Sequence, residues 1–194
     1  MSKIIGLTGG IGSGKTVIAN YIKSLGIPVY IADDEARKLM ENPEIVEAIM
    51  HEFGTEVIHN GALNRDILAK LVFNNPVKLQ SLNNIVHPRV KKHFDSWVYN
   101  HKQYPLLVKE AAILFESGSY KECTYVITVT APLEIRIQRV IQRDKTDKES
   151  VLKRMQNQWT DQQKIAKSDY VIHNVSIEEA KKQVDKILQI LKNP

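Results

Sequence analysis

The chain has 194 residues, 43% of them hydrophobic and 25% charged, with a formal charge of +5 and a sequence pI of about 9.2. That length suits one domain with small appended lobes, and with no apolar run near 18 residues a membrane-spanning helix is excluded. The lone Cys123 excludes an intrachain disulfide and a thiolate metal cluster.

In chain order, KIIGL (3–7) is a short β-branched run suited to a strand buried on both faces. Val17, Ile18, Tyr21, Ile22 and Leu25 then recur at helical spacing, and Gly26 stands where a helix end favours glycine. PVYI (28–31) reads as a second strand. Residues 33–41 and 43–53 read as helices parted by Asn42 and Pro43, and HNGALN as a turn. DILAKLVF and residues 76 to about 101 form a helical block, with a break predicted at His87 and Pro88. PLLVKEA (105–111) and TYVITVT (124–130) return to strand, with Cys123 expected as a small buried apolar group. Pro132 opens a helix through EIRIQRVIQRD, VLKRMQNQW continues helical, DYVI (169–172) is a fifth strand, and Ser176 with Glu179 predicts a capping box for the last helix.

Strands alternating with helices imply a three-layer α/β/α fold around a parallel five-stranded sheet. Its core would comprise 1–32, 104–143 and 168–194, with helical insertions at about 33–103 and 144–167. The basic residues are scattered, and their densest cluster, RVKKH at 89–93, reads as a solvated helix face, so no nucleic acid is expected. MSKIIGLTGG shows no secretory pattern, and a cytoplasmic location without membrane or obligate protein partners is expected.

Gly9 to Thr16, GGIGSGKT, satisfies G-x-x-x-x-G-K-[ST] between a predicted strand and a predicted helix. Glycine permits positive φ and close approach, so successive N–H groups and the helix amino terminus can face an anion. Gly12, Ser13, Gly14, Lys15, Thr16 and Val17 are therefore the expected ATP-phosphate cradle. Lys15 would reach the β and γ oxygens, and the Thr16 hydroxyl would ligate Mg2+. N-K-x-D and D-x-x-G, which a GTP switch requires, are absent, and PLLVKEA offers a motor only Glu110.

A small-molecule kinase fits better. Asp33 follows the second strand at the carboxyl edge of the sheet, where a carboxylate can take the acceptor's proton or cap the helix at ADDEARKL. Arg136, Arg139 and Arg143 share one side of a helix leading into the second insertion. Arg143 is the candidate for stabilising charge on the transferring phosphoryl group, Arg139 a candidate ATP contact, and Arg136 is expected at the surface.

The set GLTGGIGSGKT, Asp33 with Ala36-Arg37, Leu63-Asn64-Arg65, Ile85 to Val90, Ile113 to Glu116, Gln142-Arg143-Asp144, Arg154-Met155 with Gln158, and Asp169 to Ile172 with Asn174 resembles the dephospho-CoA kinases across nearly the whole chain. The resemblance implies a core like that of nucleoside monophosphate kinases and ATP-dependent phosphorylation of the ribose 3′-hydroxyl of dephospho-CoA, the last step of coenzyme A biosynthesis. It makes the first insertion the acceptor lobe and the second a lid, with Asp33 as base, Arg143 as lid arginine, and Arg65 and His87 near the acceptor. Two positions depart from the family pattern. Ile31 stands where it often has aspartate, and Glu110-Ala111-Ala112 where it often has Asp-Val-Pro. A kinase of another small acceptor, such as a nucleoside monophosphate, and a non-catalytic ATP-dependent binding module are the rival readings.

Overall fold

A computed structural model describes residues 2–73 and 75–192. The elements are β1 (Lys3–Thr8), α1 (Lys15–Ser24), β2 (Val29–Ile31), α2 (Ala32–Leu39), α3 (Pro43–Phe53), β3 (Ile58–His59), β4 (Ala62–Leu63), α4 (Arg65–Phe73), α5 (Pro76–Asn100), β5 (Leu106–Glu110), β6 (Tyr125–Thr130), α6 (Leu133–Asp144), α7 (Lys148–Gln156), α8 (Asp161–Ile165), β7 (Tyr170–His173) and α9 (Ile177–Lys192). They form two compact units, residues 1–31 with 101–194, and residues 32–100.

The larger unit is built on a parallel sheet in the order β2-β5-β1-β6-β7. Its central strands are apolar because helices cover both faces. Ile5, Leu7, Val108, Ile127 and Val129 join Ile18 and Ile22 of α1 and Val184, Leu188 and Leu191 of α9 in one core. The register sets Leu7 of β1 beside Glu110 of β5, and Glu110 beside Ile31 of β2, so three strands end together at one edge. The buried face of α1 is Ile18, Ala19 and Ile22. Val17, expected on that face, is instead 49% exposed, because it lies one residue, about 100°, from the stripe that meets the sheet. Gly26 ends the turn after α1 at φ +80°, as its type allows.

The smaller unit is helical. Ile45, Ile49, Phe53, Val57, Leu68 and Val72 form its core. The turn at HNGALN is the loop of a two-strand hairpin, β3 with β4, in which Asn60 and Gly61 both take positive φ, as a two-residue hairpin of this kind demands. Asn64 caps α4 by accepting from the N–H groups of Asp66 and Ile67, each at 3.1 Å.

The predicted break at His87 and Pro88 does not occur, and α5 runs through both. Proline removes one N–H and crowds the preceding turn. The carbonyl that loses its partner is that of Asn84, an exposed residue, and the next one, Ile85 O, also accepts from the Arg89 guanidinium at 2.7 Å. Cys123 is half-buried, not fully enclosed, and its Sγ lies 3.8 Å from Ser119 O. Burial pushes its thiol up to about 12.

Candidate active site

The loop between β1 and α1 turns at Gly12 and Gly14, both near φ +80°. A side chain at either would also strike neighbours: at Gly12 the backbone of Arg136, at Gly14 the amide of Asn174. Glycine is thus demanded twice, by conformation and by contact. The loop is braced from outside as well. Asn174, 3% exposed at the end of β7, donates from Nδ2 to Ser13 O at 2.8 Å. Ser13 N–H donates to Gly10 O at 3.0 Å and so closes the loop on itself.

Lys15, the first residue of α1, forms an ion pair with Glu110, whose side chain is 2% exposed. The strand order makes the pair, since Glu110 closes β5 beside the end of β1, which leads into the glycine loop. A buried carboxylate beside the loop lysine compensates both charges in a site of low dielectric. Among the described residues, four buried polar atoms around the loop have no hydrogen-bond partner: Ser13 Oγ and Arg139 Nη1, which can donate, and the acceptors Asn174 Oδ1 and Glu110 Oε1, the last of these held by its ion pair with Lys15. Arg139 Nη1 lies 3.7 Å from the place a Cβ on Gly14 would take, while its Nη2 donates to Val175 O at 3.4 Å. Unsatisfied donors of this kind beside a glycine loop suit the oxygens of a bound phosphate. No group of three or more His, Cys, Asp or Glu fit to hold a metal occurs among the described residues.

The other expected residues fall as follows. Thr16 and Val17 sit exposed in the first turn of α1. Asp33 is exposed in the first turn of α2, two residues beyond β2, inside the helix and not at its cap. Arg65 opens α4 and donates to Arg37 O at 2.8 Å and to Glu41 at 2.7 Å. His87 is an exposed residue inside α5. Arg143 is engaged by its own neighbour, donating to Asp144 at 2.6 and 3.0 Å, and Arg154 of α7 donates to the same carboxylate at 2.6 Å. These guanidiniums hold the Asp144 carboxyl well below the usual carboxylate range.

Arg136 overturns the surface expectation. It is 7% exposed, its Nε donates to Ile11 O in the glycine loop at 2.9 Å, and Nη1 is paired with Asp161. Helical spacing put the three arginines on one side of α6 but could not say that this side faces the loop. Three further features were invisible as site elements: Glu110 against Lys15, Gln158 accepting from Ile11 N–H at 3.0 Å, and a buried Lys164 donating to Ala112 O and Glu116 at 2.8 Å each. For Glu110 the signal was a carboxylate closing a largely apolar strand, for Gln158 there was none beyond the resemblance, and for Lys164, inside the polar stretch DQQKI, there was none.

A glycine loop between strand and helix on this parallel sheet, with its lysine at the carboxyl edge, defines a P-loop kinase fold. The sequence model describing dephospho-CoA kinase matches residues 3–179. A dephospho-CoA kinase of Bacteroides fragilis is 38% identical over 171 residues, 88% of this chain and 83% of that one. A crystal structure of a Thermus thermophilus protein superposes with a TM-score of 0.90 at 32% identity, covering 97% of both chains. That of a dephospho-CoA kinase from Campylobacter jejuni does so with a TM-score of 0.73 at 29% identity, over 99% of this chain and 98% of that one. The chain belongs to the dephospho-CoA kinase family.

Proposed function

We propose that this protein is a dephospho-CoA kinase, transferring the γ-phosphoryl group of ATP to the ribose 3′-hydroxyl of dephospho-CoA to give coenzyme A and ADP. The observation that carries the reading is the family match over residues 3–179, which takes in the glycine loop, the helical unit and the strands beyond it.

In this reading, ATP phosphates lie along Gly12 to Val17, and Lys15 exchanges Glu110 for the β and γ oxygens. Arg139, with a buried and unpartnered Nη1 beside Gly14, adds positive charge at the phosphate end of the donor. Mg2+ would be held chiefly by the phosphates, as that ion commonly is, with the Thr16 hydroxyl and the Glu110 carboxylate as the protein's oxygen donors. Bound there, it neutralises charge on the leaving and transferring groups. Asp33 accepts the proton of the acceptor hydroxyl. Arg143 leaves Asp144 when the lid at about 144–167 closes by movement of α7, its end from Gln158 to Lys164 staying fastened to the core, and stabilises the charge that spreads over the equatorial oxygens. Residues 32–100 form the acceptor lobe, with Arg65 and His87 toward the acceptor. Both substrates are small anions, which suits the net charge of +5. No described helix is long and apolar enough to cross a membrane, and we place the enzyme in the cytoplasm.

The test is an acceptor panel. Purified protein is given Mg2+, ATP and either dephospho-CoA or each nucleoside monophosphate, and kcat/KM is measured by ADP release. Dephospho-CoA is expected to exceed every monophosphate by orders of magnitude, and a preferred monophosphate would replace this reading with that of a neighbouring kinase.

A further inference from the structure

The two peptide groups that flank Ile11, at the tip of the glycine loop, are each held by a side chain. The Ile11 N–H donates to Gln158 Oε1 at 3.0 Å, and its carbonyl accepts from Arg136 Nε at 2.9 Å. Neither partner is loose. Arg136 is 7% exposed and its Nη1 is tied to Asp161, which also accepts from Thr130 Oγ1 of β6. Gly10 packs on the same guanidinium, 2.8 Å separating Arg136 Cζ from the place a Cβ there would take, and Gly12 packs on the Arg136 backbone. Asp161 stands three residues from Lys164, whose bonds to Ala112 O and Glu116 fasten α8 to the segment after β5.

A glycine loop is the part of a chain with most conformational freedom to lose, and a cradle that must order on binding loses affinity in doing so. Restraining the two peptide planes that meet at Ile11 removes much of that cost, because Gly10 and Gly12 pivot on either side of the pair. The N–H of Ile11 is already spent on Gln158, so phosphate binding is left to the residues from Gly12 onward. We infer that Arg136, Asp161 and Gln158 are positioning residues that preset the glycine loop for the donor's phosphates, acting through the N–H and the carbonyl of Ile11 without touching the nucleotide. The inference deepens the kinase reading and rests on it for the identity of the donor.

The test is binding of ATP and of adenosine, each by calorimetry, to the full chain and to Gln158→Leu, Arg136→Met and their combination, with Tm recorded for each. Gln158 lines a cavity of about 530 Å³, so leucine is accommodated there without crowding. Loss of one hydrogen bond of this kind is expected to weaken ATP about three- to tenfold, while adenosine, which has no phosphate to be cradled, binds as before. Because both side chains restrain the same residue of the loop, the double variant is expected to lose less than the product of the single losses. In turnover, KM for ATP rises and KM for the acceptor does not. Gln158→Leu that is folded and binds ATP within twofold of the parent would overturn the inference, and so would an equal loss for ATP and adenosine. Arg136→Lys, which keeps the charge and a donor, is expected to recover part of the Arg136→Met loss; no recovery in a folded variant counts against the clamp. Binding is read without turnover, so failure of the clamp and failure of the kinase assignment give different results.

Discussion

Replacing Lys164 by methionine keeps the length of the side chain and removes its charge. In the parent the ammonium is fully enclosed, at 0% exposure, and donates to Ala112 O and Glu116 Oε1 at 2.8 Å. Glu116 is itself 16% exposed and also accepts from Trp159 N–H at 2.8 Å, while the Trp159 ring stacks on Phe115 at 5.8 Å. The variant therefore leaves a largely buried carboxylate and a carbonyl without their donor. Removing one partner of a buried pair typically costs about 3–5 kcal/mol. At about 2–4 °C per kcal/mol for a chain of this size, Tm should fall by roughly 6–20 °C. Urea unfolding followed by tryptophan fluorescence gives the free energy directly. Adding Glu116→Gln removes the stranded charge, so the double variant should be more stable than Lys164→Met alone. A loss under about 1 kcal/mol for Lys164→Met, or a double variant less stable than the single one, would refute the description of this pair as a compensated buried charge.

Lys15→Ala is expected to abolish turnover, measured by coupled ADP release, and Asp33→Asn to lower kcat at least about a hundredfold with ATP binding retained by calorimetry. Asp144→Asn tests the pairing of Asp144 with Arg143 and Arg154 through pH. The carboxyl of Asp144 is held below its ordinary value by Arg143 first and Arg154 second, so its stabilisation is full above the ordinary value of 3.8 and is lost as pH falls through the lower folded one. The Tm gap between parent and variant should therefore close on acidification below about pH 4, and a gap that widens there would contradict the pairing. Cys123, its thiol pushed up to about 12 by burial, should react with a disulfide reagent at pH 8 far more slowly than glutathione does.

Local signals carried the reading of the sequence a long way, and its errors lie where distant residues meet. The glycine loop was legible because conformation, charge and helix start are written within eight residues, and the turn at Asn60-Gly61 because that pair favours positive φ, while the two-residue strands it joins were too short to show a pattern. The strands were legible as short apolar runs, but the order β2-β5-β1-β6-β7 follows from pairings between residues far apart in the chain. The order matters, since it brings Glu110 to Lys15 and turns what read as a weak motor feature into the partner of the loop lysine. Arg136 was misplaced for the same reason. Its partner Asp161 lies 25 residues on, beyond α7, and no local pattern announces it. Pro88 misled in the opposite sense, because a local rule against helix gave way within a helix of 25 residues, where the carbonyl it leaves unpaired belongs to the exposed Asn84.

The measurement that tests the central claim most directly is the identity and stoichiometry of the product. The protein is incubated with Mg2+, ATP and dephospho-CoA, and mass spectrometry with phosphorus NMR follows both products. A dephospho-CoA kinase gives one coenzyme A per ADP, the new phosphate on the ribose 3′-hydroxyl, and no comparable ADP without acceptor. ADP formed at the same rate without dephospho-CoA, or a phosphate placed on another hydroxyl, would contradict that assignment.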